Sequence, residues 1–256
     1  MSRDQGPLIQ FIDIPAALGL LTRLPIRVDA GRATARGAAC AWAFPLVGAI
    51  VGWLVMVMAF GLIALGVDAS VAGGLILFTQ VILTGALHED GLADSADGLW
   101  GTWDRDRRLE IMKDSHIGTY GVIALILSFL LRWIALIHVL QHSVVLLVVI
   151  ATLSRVPMVI LMGWLPNARE TGLSAGVGRP KAATMMLAIA VALGATFLMA
   201  TPDVGLMLGG VTVIATLIVG QIARHKIGGQ TGDILGASQQ VSEIMLLLTL
   251  AWHFTA

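Results

Sequence analysis

Charge is what this chain has least of. Only 12% of its 256 residues are Asp, Glu, Lys or Arg, about half of the ~25% carried by an ordinary soluble domain. Together with 57% hydrophobic residues and a mean hydropathy of +0.88, this excludes a conventional water-solvated globule. Cysteine is nearly absent as well. Cys40 stands alone, which rules out an intramolecular disulfide and a cysteine-rich metal centre. The first residues lack a basic segment feeding a clean apolar run with a small-residue cleavage site, so no cleaved signal peptide is expected. No long polar insert separates the apolar stretches, and a single domain over residues 1–256 is expected. Net charge is formally zero, which gives no reason to expect nucleic acid as a partner.

What is present is a succession of apolar runs. Crossing a hydrocarbon core of about 30 Å takes roughly 20 apolar residues in a helix. On that basis residues 37–67, 71–87, 117–140, 144–165, 182–200 and 204–222 are expected to span the bilayer. Residues 244–254 are short for a seventh span, which requires a helix starting near Ala237 with Glu243 inside it. Residues 8–24 are apolar but broken by Asp13, Pro15 and Arg23, and read as an interfacial or re-entrant helix. The expected architecture is therefore all-α: a polytopic membrane bundle of six or seven transmembrane helices with an N-terminal interfacial helix.

Charge is distributed with one-sided regularity. Fourteen of the sixteen basic residues fall in the N-terminal region and in the loops after the second, fourth and sixth spans, all on one side, and none lies in the opposite loops. Arg132 and Arg155, inside spans, are the remaining two. By the positive-inside rule the basic side is cytoplasmic. The opposite face offers Asp68, Asp203, His138, Gln141 and His142 and little else for chemistry.

The densest polar stretch, His88-Glu89-Asp90-Gly91-Leu92-Ala93-Asp94-Ser95-Ala96-Asp97-Gly98, follows the second span on the basic side. If the helix of that span continues through it, Asp90, Asp94 and Asp97 share one face. Crowded carboxylates repel, so such a face implies a cation. Asp114, leading into the third span, is expected to return to the depth of Asp90 and complete a set of four. Hard oxygen donors suit Mg²⁺ or Mn²⁺, and such a site beside basic residues is what phosphoryl transfer requires. A carboxylate can also accept the proton of an attacking hydroxyl. The alternative is a solvated acidic loop. That reading is preferred for Asp104, Asp106 and Glu110, which alternate with Arg105, Arg107 and Arg108.

Other residues join the candidate site with weaker individual signals. Arg155 lies about ten residues, roughly 15 Å, below the basic end of its span, where Pro157 can open the helix. It needs an anionic partner, either a pyrophosphate or an aspartate. Arg132, nearer the opposite face, suits snorkelling or a structural pair. The glycine-rich segments 167–179 and 228–233 contribute Arg169 and Asp233, with an ordinary loop as the competing reading. His88, Lys113 and His116 flank the acids. His138 and His142 stand at i, i+4, too few ligands for zinc. The seven tryptophans read as interfacial belt residues.

At the level of whole motifs the chain resembles the cobalamin synthase family. His88 to Gly98 matches its H-x-D-G-L-A-D-(T/S)-A-D-G stretch, Arg108 to Gly118 resembles R-L-E-I-M-K-D-S-x-I-G, and Gly232 to Gly236 resembles the late T-G-D-x-L-G. Thr22 to Pro25, Phe44 to Gly48 and Ser154-Arg155 also fit. Two positions depart from the pattern: Glu89 stands where leucine is usual, and Arg132 where lysine is often found. The resemblance implies a Mg²⁺-dependent transferase of the bacterial inner membrane, joining adenosylcobinamide-GDP to α-ribazole or its 5′-phosphate with release of GMP. It implies that Asp90, Asp94, Asp97 and Asp114 hold the metal and carry catalysis. Substrate binding would fall to His88, Lys113, Arg155, Arg169 and Asp233. The bilayer and the two substrates are the implied partners, and a homo-oligomer is compatible with the sequence.

Two rivals remain at this level. A CDP-alcohol phosphotransferase also pools aspartates at membrane helix ends, but its D-x-x-D-G-x-x-A-R pattern fails at Asp94, and its arginine is missing here. A divalent-cation carrier would place its acids near mid-membrane with access from both faces.

Overall fold

The computed structural model describes residues 6–255, and Arg3, counted above among the N-terminal basic residues, lies outside them. Among the described residues the sole β interaction is an isolated parallel bridge between Asn167 and Gln230, and the elements are helical. The N-terminal helix α1 (Asp13–Leu21) has nine residues, about 14 Å at 1.5 Å per residue, too short to cross a bilayer. Helix α2 (Ala30–Arg36) and a 3₁₀ segment, Gly37–Ala43, lead into α3 (Phe44–Ala64).

Among the described residues six helical stretches are long and apolar enough to span: Ala30–Ala64, Thr119–His142, Leu146–Trp164, Ala182–Met199, Pro202–Ile227 and Gly232–Thr255. The pair α4 (Ala69–Thr84) and α5 (Leu87–Gly101) makes a seventh if counted as one, but it is bent by 89°. This corrects the expectation that the second span continues straight through the acidic stretch. Gly85 (φ 62°) and Ala86 (φ 57°) are both left-handed, a conformation that ends α-helices and that glycine adopts without a steric penalty. A side chain on Gly85 would also strike Arg23, whose own N–H donates to the Leu83 carbonyl at 2.7 Å. The N-terminal segment is thereby pinned to the turn.

Helix α6 (Arg105–Ile111) precedes α7 (Thr119–His142). The fourth span is interrupted at Ser154-Arg155, giving α8 (Leu146–Leu153) and α9 (Val156–Trp164), with Pro157 in the first turn of α9 as its position in the sequence suggests. After the short α10 (Leu173–Val177) come α11 (Ala182–Met199), α12 (Pro202–Ile227) and α13 (Gly232–Thr255). The last corrects the weak seventh span: the helix begins at Gly232, not near Ala237, and runs for 24 residues.

Burial explains why α13 escaped hydropathy. In α8–α9 and α13, 89% and 72% of the spanning windows are buried, against 22% to 39% in the other four spans, so these two form the centre of the bundle. Glu243 and the neighbouring Ser238, Gln239, Gln240 and Ser242 are buried against protein rather than lipid. Around this centre, Val47, Val51, Val55 and Ala59 recur every fourth residue on α3 with no exposure, giving an apolar stripe at helical period. Trp42 is buried, not a belt residue as expected. Its indole donates to Asp13 at 2.8 Å, while Arg36 pairs with the same carboxylate at 2.6 Å. These contacts clamp α1 onto the segment before α3.

Candidate active site

Helix α5 is the organising element. It crosses α13 at Gly91 and Gly236, where a Cβ on Gly91 would sit 2.8 Å from the Asp233 carbonyl oxygen and 3.1 Å from the Gly236 Cα. This close approach brings the acids of α5 beside Asp233 at the first turn of α13.

Two cavities flank α5 at this end. One, of about 130 Å³, lies among α1, α3, α5, α9 and α13 and is lined by Leu20, Leu21, Phe44, Met158 and Met162 together with His88, Asp90, Arg169 and Asp233. The other, of about 500 Å³, is bounded by Glu89, Asp90, Asp94, Lys113, Asp114 and His116. Asp90 lines both. Arg169 and Asp233 form an ion pair at 3.1 Å. The charge of Asp94 is opposed first by burial, then by Asp90, Asp233 and Asp97, and favoured by Arg169.

The four-carboxylate set is not assembled as expected. Asp97 is only 7% exposed, and its two oxygens accept hydrogen bonds from the Gly118 and Gly121 amides at 2.7 and 2.9 Å. It caps the orphan N–H groups at the start of α7. Asp114 is exposed and paired with His116 Nδ1 at 2.7 Å. The His116 hydrogen bonds hold the Asp114 carboxyl below the usual carboxylate range, and Asp114 raises His116 in return. Among the described residues no three His, Cys, Asp or Glu side chains converge on one ion. The remaining donors, Asp90, Asp94 and Asp233, are hard oxygens. Such a set fits Mg²⁺, which takes one or two protein carboxylates and fills its other positions with water and phosphate oxygens.

For Arg155, one of the two expected anionic partners, an aspartate, is not found among the described residues. It is 2% exposed and donates to the Ala151 carbonyl at 2.6 Å and to Ser154 Oγ at 3.3 Å, and it does not line either cavity. Lys113 is exposed and reaches Thr171 Oγ1 at 3.5 Å. Although Arg105 also donates to the Ile227 and Ala168 carbonyls at 3.0 and 2.8 Å, the acids of α6 and Arg107 behave as a solvated face, with ion pairs at Arg105–Asp106 and Arg107–Glu110. Arg108 does not: it is buried and donates to the Thr102 and Lys226 carbonyls at 2.9 and 2.8 Å.

Three features were missed by sequence reasoning. The two glycine-rich segments are tied together: Ala168 N donates to the Gln230 carbonyl at 2.9 Å, Gln230 N to that of Pro166 at 2.8 Å, and Ser174 Oγ to Gln230 Oε1 at 2.5 Å. This pairing places Arg169 over Asp233. Beneath the site, Arg132 donates to Glu89 through both Nη atoms at 3.2 Å and to Glu243 at 3.4 Å, and Gln240 donates to the same Glu89 oxygen at 3.1 Å. Glu89 and Arg132, the two departures from the family motif, are thus partners. The third is the capping role of Asp97. Arg132, a charge inside an apolar run that suited a structural pair, and Glu243, an acid inside another, were the visible signs of the buried network.

Apolar helices that collect their carboxylates and basic side chains around two cavities at one end define an integral-membrane protein with a one-ended polar site. Sequence comparison makes this specific. Residues 13–251 match the cobalamin-5-phosphate synthase family (CobS), and the chain belongs to that family. Its relatives include proteins named adenosylcobinamide-GDP ribazoletransferase. That of Bradyrhizobium diazoefficiens is 43% identical over 244 residues, 93% of each chain. That of Azorhizobium caulinodans is 43% identical over 249 residues, 92% of this chain and 94% of the relative. In the protein of Sinorhizobium medicae the identity is 41% over 251 residues, with 93% and 95% covered. No solved structure matches the chain.

Proposed function

We propose that this protein is an adenosylcobinamide-GDP ribazoletransferase, moving adenosylcobinamide phosphate from its GDP-activated form onto a ribose hydroxyl of α-ribazole or its 5′-phosphate. The observation that carries this reading, beside the family match, is that Asp90 lies on the walls of both cavities. A two-substrate reaction needs its reacting groups where two binding volumes meet.

The acceptor hydroxyl forms the new P–O bond as the pyrophosphate P–O bond breaks. GMP leaves with the electron pair, and the hydroxyl proton passes to a carboxylate. Asp90 and Asp94 are the groups placed to take it. Arg169 on one side and Lys113 on the other supply positive charge for the departing phosphate. In this reading one or two of Asp90, Asp94 and Asp233 would hold Mg²⁺, which when bound neutralises pyrophosphate charge, and a carboxylate outside that pair is left to accept the proton. His88 lines the smaller cavity, Asp114 with His116 lines the larger, and Asp97 and Arg155 support the fold around them. The one-sided basic loops support a site on the cytoplasmic face of the bacterial inner membrane.

The test is reconstitution in lipid with adenosylcobinamide-GDP, α-ribazole and Mg²⁺, following GMP and the corrinoid product by chromatography. One GMP per product is expected, with turnover lost in a chelator and restored by Mg²⁺. A folded protein that releases no GMP refutes the assignment.

A further inference from the structure

The two cavities differ in a way that assigns them. The smaller combines an apolar wall from Leu20, Leu21, Phe44, Met158 and Met162 with a polar end at Asp90, Arg169 and Asp233. His88 also lines it. That residue is 1% exposed, and its Nε2 has no hydrogen-bond partner among the described residues; the same holds for Nη1 of Arg169. Buried polar atoms are costly to leave unpaired, so both mark places where a ligand completes the hydrogen bonding. A corrinoid macrocycle is far too large for about 130 Å³, a volume that suits a single flat ring system. The apolar base of the acceptor matches it, with its ring on the apolar wall and its ribose outside that volume, toward the polar end. The larger cavity, bordered by the exposed Lys113, Asp114 and His116, suits the anionic nucleotide donor.

We propose that the small cavity is the acceptor's base pocket, that Leu21 of α1 and Met158 of α9 set its fit, and that the unpaired His88 nitrogen hydrogen-bonds the acceptor. This rests on the transferase reading above. It also gives the interfacial helix a role: α1 closes the pocket, and its clamp through Asp13, Arg36 and Trp42 holds that wall in place.

The test is binding of α-ribazole alone, by calorimetry in detergent, to the wild-type protein and to Leu21→Trp and Met158→Trp. Each substitution fills the pocket and is expected to weaken α-ribazole by about tenfold or more, while adenosylcobinamide-GDP binding stays within about twofold. Should either tryptophan variant fail to fold, Leu21→Ala, which opens the wall instead, is expected to weaken α-ribazole without touching the donor. Unchanged α-ribazole affinity in the folded variants, or loss of donor binding instead, overturns the assignment. The two readings fail separately. A protein that binds α-ribazole in this pocket but releases no GMP refutes the transferase function alone, and one that turns over with an acceptor affinity indifferent to Leu21 and Met158 refutes the pocket alone.

Discussion

Replacing Glu89 by leucine, the residue usual at that position in the family pattern, tests the buried network beneath the site. One oxygen of Glu89 accepts from both Nη atoms of Arg132 and from Gln240, all within 3.2 Å. Arg132 is 1% exposed, so its charge has no recourse to water. Breaking a buried ion pair from one side costs about 3–5 kcal/mol. Glu89→Leu should fall at the lower end, near 3 kcal/mol, because Glu243 still faces Arg132 at 3.4 Å. Arg132→Leu strands two buried carboxylates and belongs at the upper end, about 5 kcal/mol. If the pair is one unit, the double variant is less damaged than the two single effects predict together, by about 2 kcal/mol. Equilibrium unfolding in mixed detergent micelles measures all four corners of this cycle. Additivity within about 0.5 kcal/mol would show that the two side chains do not stabilise each other.

The clamp on α1 carries a pH dependence. Burial alone opposes ionisation of Asp13, but its hydrogen bonds from Arg36, Trp42 and Gln10 more than compensate and hold its carboxyl below the ordinary 3.8. A depressed carboxyl contributes stability that is complete above its unfolded value and lost as pH falls through the folded one. Hydrogen exchange in α1 should therefore rise below about pH 4 in the wild type, whereas Asp13→Asn exchanges fast at every pH; an α1 equally protected in both would remove the clamp. At the α5–α13 crossing, Gly91→Ala places a Cβ 2.8 Å from the Asp233 carbonyl oxygen and should lower turnover by about a hundredfold through displacement of the acids. Gly194→Ala, where nothing lies within 4 Å, serves as the control and should leave turnover unchanged.

Much of this was legible in the sequence because lipid imposes a simple rule. Runs such as 117–140 and 204–222 can only be spans, and the one-sided arginines order them. Legibility ended where contacts, not composition, decide. The 89° turn rests on a left-handed Ala86, a conformation that alanine disfavours and so does not announce in the sequence. Asp97 caps amides 21 and 24 residues away, a partnership that helical periodicity cannot reveal and that removed it from the expected carboxylate set. Glu243 lowered the apparent quality of the last span because its partner, Arg132, is 111 residues distant. Asp233 stood as a candidate carboxylate in a glycine-rich segment, but its arginine partner was hidden until the pairing of Ala168 with Gln230 brought Arg169 to it.

The central claim is that the carboxylates of α5 act where the two cavities meet, while the acids of the neighbouring α6 segment do not. Turnover of Asp94→Asn and Asp104→Asn, purified side by side into lipid, tests this most directly, since Asp104 only caps α6 by accepting from Arg107 N at 2.8 Å. Asp94→Asn is predicted to lose at least about a hundredfold in rate with its thermal stability intact, and Asp104→Asn to retain wild-type turnover. Equal activity of the two variants would contradict the account.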